Sequence, residues 1–435
     1  MLLWSPFQAY LSSRGEIVPP KVIDTGRLTY GQATADWQER LNVDRMREER
    51  AERARQVMRK YGVAVLLEAS APNIRYLTGL IGFPLPQTRY CLFFADHPTV
   101  MYEHNGWFHQ MPDQAPWIKE WRPARGWLAG APGQEASRYQ SKLFAGEIAQ
   151  ELKDRGLLDE KIAVGGLDGM ASAALAEAGV SNMTASAPLM LEARMIKTPD
   201  EIDCLKMVAA ICNGIWFRVW ESVRPGMSDT ELGRIVASAG YEFGAEFSHT
   251  AGWRSGPMTF EQGFSNSGRL LQSGDLMFGS VCGFTYMGYS SCTIRTMSLL
   301  KKPPEKAKDW YKEVLERVDT IISEIKPGAS SDMAARHFPP AAKYGYKLEE
   351  ELLTAENGHG VGLGATSGYD YPIFNRQWGL KFPVEFQEGM VVAVETREGE
   401  KRVGAARLEN MVVVTKDGAE IIDTFPRDEI LVAPR

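Results

Sequence analysis

The sequence predicts an α/β (α+β) protein of two domains, a small N-terminal α/β domain followed by a C-terminal domain built as an internal duplication. Three observations carry that expectation. The chain has 435 residues, more than the about 250–300 at which a single hydrophobic core stops growing. A domain entry is written into Thr198-Pro199-Asp200-Glu201, where a threonine cap, a proline at the first helical position and a glutamate three residues after the cap form a capping box. The pattern basic-Pro-Gly-x-Ser occurs twice, at Arg224-Pro225-Gly226-Met227-Ser228 and Lys326-Pro327-Gly328-Ala329-Ser330. Each copy follows a long helical stretch and precedes another helix start, the pattern of a repeated unit.

Residues 1–42 are rich in Pro, Gly and Ser turns with scattered aromatics and read as an irregular arm. Residues 43–197 alternate a charged helix over Val43 to Gly62 with strand-like runs at Val63-Ala64-Val65-Leu66-Leu67, Tyr90-Cys91-Leu92-Phe93-Phe94 and Lys161-Ile162-Ala163-Val164, a small α/β domain. Residues 198–435 form the second domain. Its first helix is expected to run to Ser222, and a second capping box, Ser228 with Glu231, starts the next.

Composition narrows the function classes. With 44% hydrophobic residues, 24% charged and a net charge of -6, the chain has no basic footprint for nucleic acid. No run approaches the roughly 20 apolar residues of a membrane span, and Met1-Leu2-Leu3-Trp4-Ser5-Pro6 lacks the charged and apolar regions of a signal peptide, so a cytoplasmic protein is expected. Five cysteines, Cys91, Cys204, Cys212, Cys282 and Cys292, make no CxxC pair, and no disulfide is expected.

The chemistry concentrates near the C-terminus. His359 lies in Asn357-Gly358-His359-Gly360-Val361-Gly362, where the flanking glycines would let a ligand approach the backbone closely. Glu395 closes the apolar run Val391-Val392-Ala393-Val394, and Glu409 precedes Asn410-Met411-Val412-Val413-Val414, with a turn over Arg397 to Gly404 between them. That is a hairpin, and residues opposite each other on paired strands bring Cβ atoms to about 4.5–5.5 Å, so both carboxylates can serve one site.

Gly274-Asp275-Leu276, Gly288-Tyr289-Ser290-Ser291-Cys292-Thr293-Ile294-Arg295-Thr296, the Gly-His-Gly-Val-Gly run and the two strand glutamates together resemble the methionine aminopeptidase/prolidase/creatinase superfamily. Asn73-Ile74-Arg75-Tyr76-Leu77-Thr78-Gly79 and Arg194-Met195-Ile196-Lys197-Thr198-Pro199 are similar to its N-terminal domain and interdomain segments. The resemblance implies the duplicated pita-bread fold for the C-terminal domain and a creatinase-type N-terminal domain. It further implies a homodimer in which one N-terminal domain roofs the partner's site.

Peptidases of that superfamily hold two metal ions with two aspartates, a histidine and two glutamates. His359, Glu395 and Glu409 match three of these, while the aspartate positions carry Ser280, with Cys282 nearby, and Cys292. Thr366 and Gln262-Gly263-Phe264 stand where relatives have further histidines. Two ions about 3.5–4 Å apart need several carboxylates between them, so no metal centre of that kind is expected. The alternative is a single zinc or iron ion held among Cys282, Cys292, His359, Glu395 and Glu409.

The leading expectation is therefore a metal-independent, creatinase-like hydrolase that cleaves a C–N bond of a small cationic or zwitterionic compound. His359 would be the acid or base, Glu395 and Glu409 would hold the positive group, and Cys292 is a candidate nucleophile. Tyr289, Arg295, Trp107 and Trp121 are candidate substrate contacts, the tryptophans, with Trp117 and Trp127, as cation–π faces. Three alternatives stand beside it: a lyase resembling the dimethylsulfoniopropionate lyase branch, to which the Ser280–Cys292 spacing and Ser255-Gly256-Pro257 are similar; an aminopeptidase P or prolidase-type metallopeptidase with an atypical metal site; and a protein that only binds a small molecule.

Overall fold

The computed structural model describes residues 41–81, 88–247, 252–261, 266–352, 356–363 and 369–434. Of the expected arm only Leu41 and Asn42 are among them; Thr366 and the segment 262–264 also lie outside.

The alternating runs after Val43 fold into a mixed sheet of order β4-β3-β2-β1-β5-β6. Its strands are β1 (Val65–Glu68), β2 (Tyr90–Phe94), β3 (Val100–Glu103), β4 (Glu120–Pro123), β5 (Ile162–Gly165) and β6 (Met183–Ala185). Both faces are covered, which is why β1 and β2 read as unbroken apolar runs. Val65 and Leu67 face Phe144, Ile148 and Leu152 of helix α2 (Gln134–Asp154), while Leu66 and Phe93 face Val57 and Met58 of helix α1 (Val43–Tyr61). Helix α1 begins where the Asn42 side chain accepts the Arg45 N–H, and ends at Gly62, whose φ of 61° supplies the left-handed cap.

Both capping boxes close as the sequence dictates, at Thr198 with Glu201 for α3 (Pro199–Ser222) and at Ser228 with Glu231 for α4 (Asp229–Glu242). The second copy of the pattern gives α5 (Glu305–Glu324) and α6 (Ser331–Ala335). Helix α6 is far shorter than α4 because Pro339 and Pro340 follow closely and cannot continue it.

The C-terminal sheet runs β13-β12-β14-β15-β11-β8-β7, all neighbours antiparallel. Its strands are β7 (Arg254–Ser255), β8 (Leu276–Ser280), β11 (Ile294–Leu299), β12 (Asn357–Gly360), β13 (Asp370–Phe374), β14 (Val391–Glu400) and β15 (Gly404–Thr415). A small hairpin, β9 (Thr285–Tyr286) with β10 (Tyr289–Ser290), bridges β8 and β11, while β16 (Gly418–Ile421) and β17 (Leu431–Ala433) pair with β15 and β11. The expected turn between the two glutamates shrinks to residues 401–403, because both strands run further than their apolar cores.

Backbone hydrogen bonds make the duplication explicit. Gly226 N–H to Leu271 O and Leu271 N–H to Met227 O recur as Gly328 to Phe386 and Phe386 to Ala329. Gly274 to Leu299 and Leu299 to Asp275 recur as Gly389 to Val414 and Val414 to Met390. Each half is a hairpin backed by its helix. Helix α3 buries Val208, Ile215 and Val219 with Met277 and Met297, and α5 buries Val314, Val318 and Ile321 with Val394, Leu408 and Val412.

The domains are joined through buried polar groups. Arg50 of α1 donates to the Tyr289 hydroxyl oxygen at 3.0 Å, and that hydroxyl donates to Glu201 Oε1 at 2.7 Å. Tyr289, expected among the substrate contacts, is thus fully buried between a cation and a carboxylate and links the domains. Arg194 reaches from the N-terminal domain to Asn73 and to Asp370 of β13.

Candidate active site

The site is built where three strands lie side by side. Glu395 of β14 has Glu409 of β15 as its direct cross-strand partner on one side and Asn357 of β12 on the other. Side chains two residues apart on a strand share a face, so His359 joins Asn357, and Arg407 joins Glu409, on the same surface. All five are buried.

The glycines around His359 serve a different purpose from the one the sequence suggested. A Cβ at Gly358 would stand 1.9 Å from the Phe374 ring, and one at Gly360 would stand 2.4 Å from the Tyr371 carbonyl oxygen. They let β13 pack flush against β12. His359 is fixed as a result: its Nδ1 lies 3.0 Å from the Gly360 carbonyl oxygen, which can only accept, so Nδ1 carries a proton and Nε2 is aimed at Glu409 Oε1, 3.2 Å away. The Tyr369 ring lies against the imidazole, with centroids 4.3 Å apart.

Glu395 is held from both sides. Asn357 Nδ2 donates to Oε1 at 2.9 Å and Arg407 Nη2 to Oε2 at 2.6 Å, with the guanidinium backed by the Phe278 ring. Burial, then the charge of Glu409, raises the Glu395 pKa, and Arg407 opposes the rise. Burial would lower the His359 pKa. The hydrogen bond and charge of Glu409, with Glu395 behind it, outweigh burial and leave it raised. This buried surface therefore carries its own neutralisation: Arg407 against Glu395, and an imidazole biased toward its cation against Glu409.

Several expected site residues fall elsewhere. Cys282 and Cys292 are joined as a disulfide, against the expectation of none, so Cys292 is not a free nucleophile and neither sulfur is a thiolate ligand. The reason is register: Ile294 pairs with Ser280, and the ladder continues through Val281 N–H to Thr293 O and Gly283 N–H to Ser291 O, which sets Cys282 opposite Cys292. Arg295, expected as a substrate contact, is buried and donates to the Glu409 carbonyl oxygen at 2.6 Å and to Asp423, so it anchors the strand that carries Glu409. The tryptophans are spread over the N-terminal domain and not gathered at one point. Trp127 is in the core on one face of the N-terminal sheet with its indole N–H on Asp168, Trp121 packs on the other face, Trp117 lies under Arg47, and Trp107 is half-exposed beside His104.

Arg407, Asn357 and Tyr369 adjoin this surface and were not among the expected site residues. The signal for the first two was available, since each stands two positions before a residue already singled out and so shares its face. Nothing in the sequence marks Tyr369.

The donor set fits a two-metal centre poorly. Ser280 replaces one carboxylate, Cys292 is tied to Cys282, and both oxygens of Glu395 are occupied by Arg407 and Asn357. Apart from the disulfide corner, the cluster left among the described residues is His359, Glu395 and Glu409, whose donor atoms lie within 4.8 Å of one another.

Residues 203–416 match the family model of metallopeptidase family M24. An Xaa-Pro dipeptidase of Pyrococcus horikoshii is 27% identical over 250 residues, 54% of this chain and 65% of that protein. A creatinase of a Bacillus species is 28% identical over 254 residues, 54% of this chain and 58% of that protein. The chain thus spans less than two thirds of the length of these relatives. Among solved structures, an Xaa-Pro dipeptidase from Bacillus anthracis superposes with a TM-score of 0.71 at 23% identity, covering 88% of this chain and 99% of that one. The α/β architecture, with a mixed N-terminal sheet and a curled antiparallel catalytic sheet, is the shared fold. No helix among the described residues is long and apolar enough to cross a membrane.

Proposed function

We propose, from the match of residues 203–416 to the model of metallopeptidase family M24, that this chain is a hydrolase that cleaves a C–N bond in a small polar compound without a two-metal centre. The observation that carries this reading is the 3.2 Å contact between His359 Nε2 and Glu409 Oε1, beside a Glu395 already neutralised by Arg407. Glu409 takes a proton from the attacking water as oxygen bonds to the substrate carbon. His359, its cation favoured by the hydrogen bond and charge of Glu409, gives a proton to the departing nitrogen as the C–N bond breaks. The Nε2–Oε1 contact then returns the proton from Glu409 to His359 and resets the pair.

Each Glu395 oxygen already accepts a hydrogen bond, from Asn357 or from Arg407, so the substrate's positive group is assigned first to Glu409, with Glu395 as the carboxylate beside it. Tyr369 offers a ring face beside it for a cationic or zwitterionic group. Activity of metal-depleted protein on a panel of small amides, guanidino compounds and Xaa-Pro dipeptides tests the reading. Hydrolysis that survives depletion and is lost in His359→Gln supports it; hydrolysis that requires added metal in stoichiometric amount defeats it.

A second reading, a dipeptidase with one metal ion, is favoured by the names of the relatives and by the cluster of His359, Glu395 and Glu409. It requires Arg407 to release Glu395, so Arg407→Met would tighten metal binding under that reading and would not under the first.

A further inference from the structure

Cys282, Cys292 and Glu409 offer one donor atom each within 4.8 Å of one another, the two sulfurs from opposed positions on adjacent strands. Cys282 Sγ lies 3.5 Å from Glu409 Oε2, while the other oxygen of that carboxylate faces His359. Cys282 is half-buried, within reach of a small reductant, whereas Cys292 is buried.

We propose that this corner is a redox-gated zinc site, closed to metal while the disulfide stands and opened by its reduction. The metal site itself does not depend on the hydrolytic reading, and only its effect on the work of Glu409 rests on that reading. A dithiol reductant delivers two electrons and two protons to the Cys282–Cys292 bond, which breaks to two thiols as the reductant closes to its own disulfide. The two thiols then release their protons to solvent and, with Glu409 Oε2, become the ligands of one ion.

Three considerations select zinc and this donor set. Zinc accepts thiolate at about 2.3 Å and carboxylate at about 2.0–2.2 Å, distances that one ion can satisfy among atoms so close. Three protein ligands leave a fourth position open, as catalytic zinc sites do. A hydrogen bond on the remaining oxygen orients a ligating carboxylate, and His359 Nε2 stands where it supplies one. The set is distinct from the His359, Glu395 and Glu409 cluster, because Glu395 takes no part and two of three donors are sulfur. Occupancy would engage Glu409, so reduction with zinc present would withdraw the carboxylate from its work with His359.

The full chain in its oxidised form and the same protein reduced by a dithiol and desalted anaerobically are compared for metal uptake. Free thiols should rise from three to five, since Cys91, Cys204 and Cys212 are free in both states. The reduced form is expected to bind one zinc ion per chain and, loaded with cobalt instead, to show thiolate-to-metal charge-transfer absorption. The oxidised form is expected to lack that absorption and to bind zinc at least about tenfold more weakly. Cys282→Ser in the reduced state should abolish the two-thiolate spectrum. Equal zinc affinity in both redox states, cobalt bound without sulfur charge transfer, or no uptake after reduction would each overturn the proposal. The comparison of two states of one unmutated protein stands even if the variant misfolds.

Discussion

The two halves of the C-terminal domain share a backbone plan and differ in what they place on it. Glu395 and Glu409 are cross-strand partners in the second half. The same positions of the first half, counted from the paired backbone bonds at Gly274 and Gly389, are Ser280 and Ile294, also direct partners. One step further along, the first half has Cys282 opposite Cys292 where the second has Arg397 opposite Arg407. One hairpin carries carboxylates balanced by arginine; the other carries a covalent staple and no carboxylate at the site. The fold fixes where side chains can stand, and the residues at four positions set how much negative charge each hairpin presents there.

The largest expected effect comes from removing the acid. His359→Gln should lower turnover by about 10²–10⁴-fold. In the parent, the rate should fall as pH rises through the raised His359 pKa, because the protonated form is the donor. A pH–rate profile without an alkaline limb would break that assignment.

Next in size is the arginine of the second half. Arg407→Met leaves Glu395 buried without its cation and should cost about 3–5 kcal/mol of stability, measured by denaturant unfolding. A cost near zero would mean that Arg407 is not what balances the second hairpin.

The corresponding change in the first half is smaller. Replacing Cys282 and Cys292 together by Ala opens a link of ten-residue separation and should lower the stability of oxidised protein by about 3 kcal/mol. An equal loss under reducing conditions would show that the staple contributes through packing instead.

The smallest effect sharpens the electrostatic contrast. Glu356, just before Asn357, is buried and its pKa is pushed up from 4.5 to about 7, mainly by burial, against Arg317 and the Thr396 hydroxyl. A carboxyl raised in the folded state binds its proton more tightly there than in the unfolded chain. Its stabilising contribution is therefore complete below pH 4.5 and lost as pH rises through 7. Glu356→Gln should remove that slope, a gain over the parent of about 1–3 kcal/mol above pH 7 that fades toward pH 4.5. Parallel stability–pH curves for the two proteins would contradict it.

Much of this arrangement was legible before the structure. Thr198 with Glu201 and Ser228 with Glu231 announced two helices because caps are local chemistry. The glutamate pair was legible because a short turn leaves β14 and β15 little freedom of register. The disulfide was not, since Cys282 and Cys292 are brought together by a ladder that resumes beyond the intervening β9–β10 hairpin, and nothing local marks that register. Nor was the role of Gly358 and Gly360 readable, because the Phe374 ring and Tyr371 carbonyl that require them belong to another strand. The tryptophans misled because density along the chain says nothing about which face of a sheet each one joins.

The most direct test is the rate of oxidised, metal-depleted protein on its best small-amide substrate, followed as zinc, manganese or iron is added to stoichiometry. A site balanced by Arg407 and His359 should turn over at full rate with metal far below one equivalent and gain nothing from additions. Activity that vanishes on depletion and returns in proportion to bound metal would contradict it.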